Sequence, residues 1–402
     1  MSLNELLDVV FRWAHLNAGI MWIGNSMLFN WLDRNLEKQG HQLGRLSQGK
    51  IYMVHSGAFY EAEKTLLEPG ALPKNLYWFK WQNGITWMTG IALLVVVYYM
   101  NGTAFLVDPS RHDTAPVVAI TMSLGSLFVG WLIYDALWRV LGESRPQLAT
   151  ACSIVMLFGS AYLYSLFFSG RATYIHTGVL MGTIMTGNVW FCIMPSQRSL
   201  IASTKSGKDQ DPLLSLRAKQ RSIHNNYLTF PLLFIMVSTH FSSAVSAYLN
   251  WLVLIVVMVG GAGIRHFMNV RYRGEGLQLS TRAWLGPALV MAALTIVGVL
   301  VITRVAAPRK LTVDQPVPFR RVQEILGNRC MVCHSAKPTD AVFRAPPAGV
   351  VFDNPQQIQI YAPRIKYRTY EVQNMPFNNQ TDITDRERAE LARWVDDGAK
   401  LD

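Results

Sequence analysis

Residues 284–303 read WLGPALVMAALTIVGVLVIT, a run of twenty residues without a charged side chain. A helix of that length crosses the apolar core of a bilayer, which is about 30 Å thick. Half of the 402 residues are apolar, more than a soluble fold of this size needs. The sequence therefore predicts an all-α fold in which residues 1–304 form an eight-helix transmembrane bundle. The other seven predicted spans are approximately 8–31, 81–100, 115–138, 149–168, 173–194, 225–244 and 247–264.

The basic residues are distributed unevenly between alternate loops. Nineteen Lys and Arg residues fall in the loops that would share one side, and three fall on the other, namely Arg12, Arg111 and Arg171. Since cytoplasmic loops keep an excess of Lys and Arg, both termini are predicted to lie outside the cytoplasm. The net charge of +11 does not indicate nucleic acid, because the basic residues alternate with apolar spans rather than forming one patch. Membrane lipid is the expected surrounding.

The composition changes after the last span. Residues 305–318 contain three prolines and no apolar periodicity, which is typical of a short, stiff linker. Residues 319–402 are predicted to form a separate helical domain that opens with an amphipathic helix and closes with another. In the closing segment, Thr384 is a predicted N-cap with Glu387 three residues later, a capping box. The predicted apolar stripe of that helix is Leu391, Trp394 and Val395.

The motif CMVCH at residues 330–334 predicts covalent attachment of a c-type haem. Thiols at Cys330 and Cys333 can form thioethers with one porphyrin, and His334 is then held beneath the iron as an axial ligand. A zinc site would need further Cys or His ligands, but none follows His334, and the other two cysteines, Cys152 and Cys192, lie within predicted spans. A thioredoxin-like pair would need a βαβ context, which the pattern does not offer; a disulfide is the remaining alternative.

The sixth ligand of such a haem iron is predicted to be Met375. It is the sole methionine after Met331, and Pro376 and neighbouring asparagines predict an irregular loop around it. His–Met ligation is typical of class I cytochromes c, whose N- and C-terminal helices cross. Haem c is attached on the outer side of the bacterial inner membrane, in agreement with the charge count. A multi-pass protein of that membrane with periplasmic termini is expected.

Six further histidines fall near two predicted depths, which suits ligation of a haem b or another metal within a helical bundle. The alternative is that they hydrogen-bond the backbone or lipid headgroups. His224 and His240 are 16 positions apart and face nearly opposite directions on a straight helix, although Pro231 between them could kink it. The outer level holds His15, His176 and His240, and the inner level holds His55, His224 and His266. Asp135 is a further charge within a span, and Arg139 is its expected partner.

Five segments together resemble the bacterial membrane-bound urate oxidase (urate hydroxylase) family, in which an integral-membrane domain is fused to a cytochrome c. The segments cover most of the chain and occur in a fixed order, which makes the set more specific than any one motif. They are RWAHLNAGIMWIGNSMLFNWLD (12–33), HSGAFYEAEK (55–64), HTGVLMGTIMTGNVWFCIMPSQR (176–198), HNNYLTFPLLFIMVSTH (224–240) and GIRHFMN (263–269).

The resemblance implies a purine-catabolic oxidoreductase that oxidises urate to 5-hydroxyisourate and passes electrons to its own haem c and a respiratory chain. The catalytic candidates it suggests are His55, His224, His266 and Lys64. Because urate is an anion near neutral pH, its pocket should offer positive charge or convergent hydrogen-bond donors. The available cations are Lys64, Lys80, Arg198 and Arg265 on the inner side and Arg12 and Arg171 on the outer side.

Two other functions fit the same residues. One is a membrane cytochrome that relays electrons from quinol or another donor without catalysing substrate oxidation. The other is a metal-handling protein related to copper-resistance membrane proteins, which also carry histidines near a first span containing a WxG motif.

Overall fold

The structure is a computed structural model that describes residues 3–37, 47–68, 70–100, 104–108, 114–209, 211–270, 281–305, 307 and 310–402. Arg111, from the loop count, and Pro308 and Arg309, from the predicted linker, lie outside the described residues. The described chain is mostly helical, in agreement with the predicted fold class.

Long helices cover the predicted spans. Three of them begin with proline in the first turn, where the missing N–H costs no hydrogen bond. Two π-turns, Val95–Tyr99 and Val189–Ile193, directly follow the helices that end at Leu94 and Asn188. The helices are α1 (Leu3–Asn35), α2 (Trp81–Leu94), α3 (Pro116–Leu141), α4 (Pro146–Phe167), α5 (Gly170–Asn188), α6 (Met194–Lys205), α7 (Pro212–Val237), the short α8 (Ser242–Val245), α9 (Asn250–Val270) and α10 (Thr281–Val305).

Five helices among the described residues are long and apolar enough to cross a membrane. They are Pro116–Leu141, Pro146–Phe167, Gly170–Lys205, Asn250–Val270 and Arg282–Val305. The spans predicted at 8–31, 81–100 and 225–244 coincide with α1, with α2 and its π-turn, and with α7, and as membrane spans they stay predictions.

Helix α5 lies at the centre of this bundle. In the continuous helix Gly170–Lys205, which α5 begins, half of the most apolar 18-residue stretch is buried. In α10, only 6% of such a stretch is buried. Leu180, Met181 and Ile184 on α5 are fully buried in the main hydrophobic core. An apolar helix with so little burial, such as α10, has a composition suited to lipid rather than to water.

A β-hairpin between α1 and α2 was not predicted. Strand β1 (Ser47–His55) pairs antiparallel with β2 (Ala58–Thr65). The connection is Ser56–Gly57, and both residues have positive φ, 52° and 76°. Positive φ at both central positions defines a type I′ turn, which matches the twist of paired strands. The described fold is therefore mainly, not wholly, helical.

The C-terminal residues have a hydrophobic core of their own. It is built from α11 (Phe319–Arg329), α12 (Pro355–Lys366) and α13 (Asp385–Asp396), with a π-turn at Tyr367–Glu371 and single 3₁₀ turns at Pro347–Gly349 and Phe377–Asn379.

Helices α11 and α13 pack against each other near the start of α11. The rings of Phe319 and Trp394 are 5.8 Å apart, and Arg321 Nε donates to Glu390 Oε2 at 2.9 Å. The predicted capping box of α13 is confirmed: Thr384 Oγ1 accepts from the Glu387 N–H at 3.2 Å, and Glu387 Oε2 accepts from the Thr384 N–H at 2.8 Å.

Candidate functional site

The CMVCH segment begins where α11 ends and forms a tight turn. The N–H of Cys333 donates to the Cys330 carbonyl at 3.2 Å, and the N–H of His334 donates to the same oxygen at 2.9 Å. One backbone oxygen therefore holds both cysteines and the histidine together. Both thiols are free, with Cys330 buried and Cys333 half-buried.

The ring of His334 is fixed by a contact on one side. Its Nδ1 lies 3.0 Å from the Val350 carbonyl oxygen, and its ring centre lies 5.3 Å from that of Phe352. A backbone acceptor at Nδ1 selects the tautomer whose Nε2 has a lone pair, which is the form that ligates a metal.

The loop that carries Met375 passes beside this turn. Gln380 Nε2 lies 3.6 Å from Cys333 Sγ, and the Thr381 hydroxyl donates to the Arg329 carbonyl at 2.8 Å. Arg388, buried on α13, donates to the Met375 carbonyl at 2.6 Å. The backbone of Met375 is thus anchored to the same domain core as the CMVCH turn.

These residues fit a covalently attached haem. The donor set is two unpaired thiols, an oriented imidazole and a thioether on an anchored loop, which is the set that a c-type haem requires. Burial raises the pKa of Cys330 to about 12, and burial together with Asp340 raises the pKa of Cys333 to about 11. Both side chains are therefore protonated thiols near neutral pH.

The outer-level histidines have separate partners within the bundle. His176 on α5 is fully buried, with Nε2 2.6 Å from Ser123 Oγ and Nδ1 2.8 Å from the Ala172 carbonyl oxygen. His15 Nδ1 lies 2.8 Å from the Thr86 carbonyl oxygen and 3.2 Å from Thr89 Oγ1. These contacts agree with the hydrogen-bonding alternative, and metal or haem b ligation by His15 or His176 stays a prediction.

His224 belongs to a polar network at the other end of the bundle. Its Nδ1 lies 2.7 Å from Tyr134 Oη, and its ring centre is 4.1 Å from that of Trp138. Asn188 Nδ2 donates to Tyr134 Oη at 3.1 Å and to Asn225 Oδ1 at 2.9 Å. His224 is thus tied to three helices, α3, α5 and α7.

The remaining catalytic and ligand candidates lie on the surface. His55, at the end of β1, and His240 and His266 are exposed, and Lys64 on β2 forms an ion pair with Asp33 at 2.7 Å. His266 Nδ1 lies 2.9 Å from Tyr227 Oη. Among the described residues, no group of three or more His, Cys, Asp or Glu side chains could hold a metal ion. The inner-level histidines are therefore not gathered into one such cluster.

Two cavities lie against opposite ends of α1. The first, of about 640 Å³, is lined by the C-terminal half of α1, residues 76–79, Gln82, and α6 with the π-turn before it, and contains aromatic and amide side chains. Its lining includes Trp22, Asn25, Asn30, Trp78 and Gln82. Among the described residues that line it, one is a carboxylate, Asp33, and none is Lys or Arg.

The second cavity, of about 920 Å³, lies between the two parts of the chain. Its walls come from the start of α1, the π-turn after α2, Phe105, Arg171 and residues 341–345 of the C-terminal part. Of the predicted cations, Arg12 and Arg171 line it. Arg344, which the sequence did not single out, lines it too.

Aromatic contacts join the C-terminal domain to the loop beside this cavity. The ring of Phe105 lies 5.0 Å from that of Phe377 and 5.8 Å from that of Phe343. Asn378 Nδ2 donates to the carbonyl oxygens of Ala104 and Val107 at 2.9 and 3.0 Å. Phe377 and Asn378 follow Met375 closely, so the loop with the predicted sixth ligand also docks on the bundle. No spacing in the sequence predicts these tertiary contacts.

These features define a mainly helical chain, compatible with a membrane protein, whose C-terminal part carries a CxxCH turn. Residues 1–301 match the model of the family described as urate oxidase N-terminal. The chain belongs to that family, so the resemblance to urate oxidases seen in its motifs is confirmed for this part. No curated protein and no solved structure matches the chain.

Proposed function

We propose that the protein is a membrane-bound urate oxidase that delivers electrons to its own C-terminal haem c. Urate reacts with water to give 5-hydroxyisourate, two protons and two electrons. The oxygen atom comes from water, and the electrons leave through a respiratory-chain acceptor instead of reducing dioxygen. The observation that carries this proposal is the family match over residues 1–301, joined in one chain to a CxxCH turn.

In this proposal, four residues of the C-terminal part would bind the haem. Cys330 and Cys333 would hold the porphyrin, and His334 and Met375 would ligate its iron. When bound, this haem would supply a one-electron acceptor. The Val350 carbonyl orients His334, and Arg388 fixes the loop of Met375. Haem b or another metal on His15, His176, His224, His240 or His266 stays a prediction and is not needed for this electron balance.

The proposed setting is the bacterial inner membrane, with eight spans and both termini in the periplasm. In support, residues 3–5 of α1 and residues 341–345 line one cavity, so the C-terminal part lies beside the start of α1. An even number of membrane crossings would place the start and the end of the bundle on the same side of the membrane.

The test uses purified full-length protein and anaerobic urate. We expect urate alone to reduce the c-type haem, with two haems reduced per urate consumed and 5-hydroxyisourate formed. Oxygen from labelled water should appear in the product. A Cys333→Ala variant should lose the covalent haem and stop this turnover. If quinol reduces the haem and urate does not, the protein is a relay cytochrome and the proposal is wrong.

A further inference from the structure

The cavity of about 920 Å³ between bundle and C-terminal domain has the dimensions of a small-molecule site. It is an assembled space, because α1 and α5 supply one wall and residues 341–345 supply another. Neither part of the chain encloses it alone. A ligand bound there would contact both the membrane domain and the domain with the CxxCH turn.

The charges on its walls favour an anion. Three guanidinium groups and two carboxylates line it, an excess of one positive charge. Arg12 is compensated locally, since its Nε lies 2.7 Å from Asp8 Oδ1. Arg171 and Arg344 form no ion pair within the described part of the chain. The Nε of Arg171 is buried and has no hydrogen-bond acceptor there. Two cations without an ion pair among the described residues thus face one cavity, whose lining carries a net charge of +1.

Aromatic rings beside these cations favour a flat ligand. The guanidinium carbon of Arg171 lies 5.3 Å from the centre of the Phe105 ring, and Phe343 meets Phe105 edge to face. Urate is a planar anion whose carbonyl oxygens and ring nitrogens match the paired donors of a guanidinium group. Among the described residues, no Lys or Arg lines the cavity at the other end of α1, and its one carboxylate, Asp33, is paired with Lys64, so that cavity offers an anion no cation of its own.

We infer that the cavity between the two domains binds the urate anion, with Arg171 and Arg344 as its cationic partners; this inference rests on the proposed function. Arg344 belongs to the electron-accepting domain, so the site is complete only when that domain is docked through Phe105, Phe377 and Asn378. Substrate binding and docking of the acceptor domain then favour each other.

The test measures equilibrium binding of radiolabelled urate to purified full-length protein at neutral pH and low salt. Arg171→Gln and Arg344→Gln should each weaken binding by about tenfold or more, the loss typical of one charge-assisted hydrogen bond. Arg171→Lys keeps the charge and should bind urate with intermediate affinity. The matched control is Arg320→Gln, which removes an arginine that is 90% exposed on α11. Haem content and thermal midpoint verify that each variant folds.

The outcomes separate this inference from the proposed function. Weaker binding in both cavity variants but not in the control supports the inference. Unchanged binding in both cavity variants, or loss of binding in Gln82→Leu at the other cavity instead, overturns it even if urate reduces the haem. Normal binding without haem reduction in the unmodified protein contradicts the proposed oxidation and leaves the site supported. No binding of urate at all contradicts both.

Discussion

At the scale of single residues, Met375 is the side chain whose role can be isolated most cleanly. Replacing it with leucine keeps an apolar side chain of similar volume but removes the sulfur donor. Because a thioether ligand raises the potential of a haem, Met375→Leu should lower the midpoint potential. A decrease on the order of 100 mV is expected, within the roughly 0.8 V that axial ligands span. Potentiometric titration of the full-length protein measures it.

Met331 offers the matched control for this substitution. It lies within the CMVCH turn and packs against the core of the C-terminal domain, but it is not a proposed ligand. Met331→Leu should leave the midpoint potential within a few tens of mV of the original. That is a small part of the range of about 0.8 V over which axial ligands vary haem potentials. Equal shifts in both variants would show that Met375 acts by packing and not as a ligand.

At the scale of elements, a charged contact joins α3 to α7. Asp135 accepts from Arg139 Nε at 2.6 Å, as predicted from their spacing, and also from Arg221 Nη2 at 3.2 Å, which was not predicted. Arg221 is 5% exposed. Asp135→Asn should therefore destabilise the bundle by about 3–5 kcal/mol, because it leaves a buried guanidinium without its counter-charge. Thermal unfolding in detergent measures the effect.

The control for this prediction removes the exposed half of the same cluster. The Arg139 side chain is 65% exposed, so Arg139→Gln should cost only about 0–1 kcal/mol. A double variant, Asp135→Asn with Arg221→Gln, should recover part of the lost stability, since no buried charge is left uncompensated. If the two single variants unfold at the same temperature, the contact between α3 and α7 is not the stabilising one.

Some elements of the fold could be predicted from the sequence, and others could not. Apolar length located the helices of the bundle, and the Thr384–Glu387 pair located the start of α13, because both signals are local. The hairpin at 47–65 also had a local signal, two strand-like runs separated by Ser56–Gly57, but it lies between predicted spans and was not recognised. The positions of Arg221 and Arg344 had no local signal, since each depends on which distant segment packs against it.

At the scale of the whole molecule, the position of the C-terminal part relative to α1 ties several properties together. Residues 341–345 lie at the end of the bundle where α1 begins, and Phe343 and Phe377 contact the loop around Phe105 there. The cavity of about 640 Å³ lies at the far end of α1, about twenty residues or roughly 30 Å away along the helix. An electron acceptor at the end of the bundle where α1 begins therefore favours a substrate site at that same end.

This arrangement predicts the side of the membrane on which each end of the bundle lies. A reporter enzyme that is active only in the periplasm, fused after Asp402, should be active in bacterial cells. A fluorescent reporter that folds only in the cytoplasm should fluoresce when fused at Gly207, in the turn after α6, and not when fused after Asp402. The physical reason is the excess of Lys and Arg in the loops on that side, which retains them in the cytoplasm. The reverse pattern would place the CxxCH turn in the cytoplasm, where covalent haem attachment does not occur, and would contradict both the topology and the proposed route of the electrons.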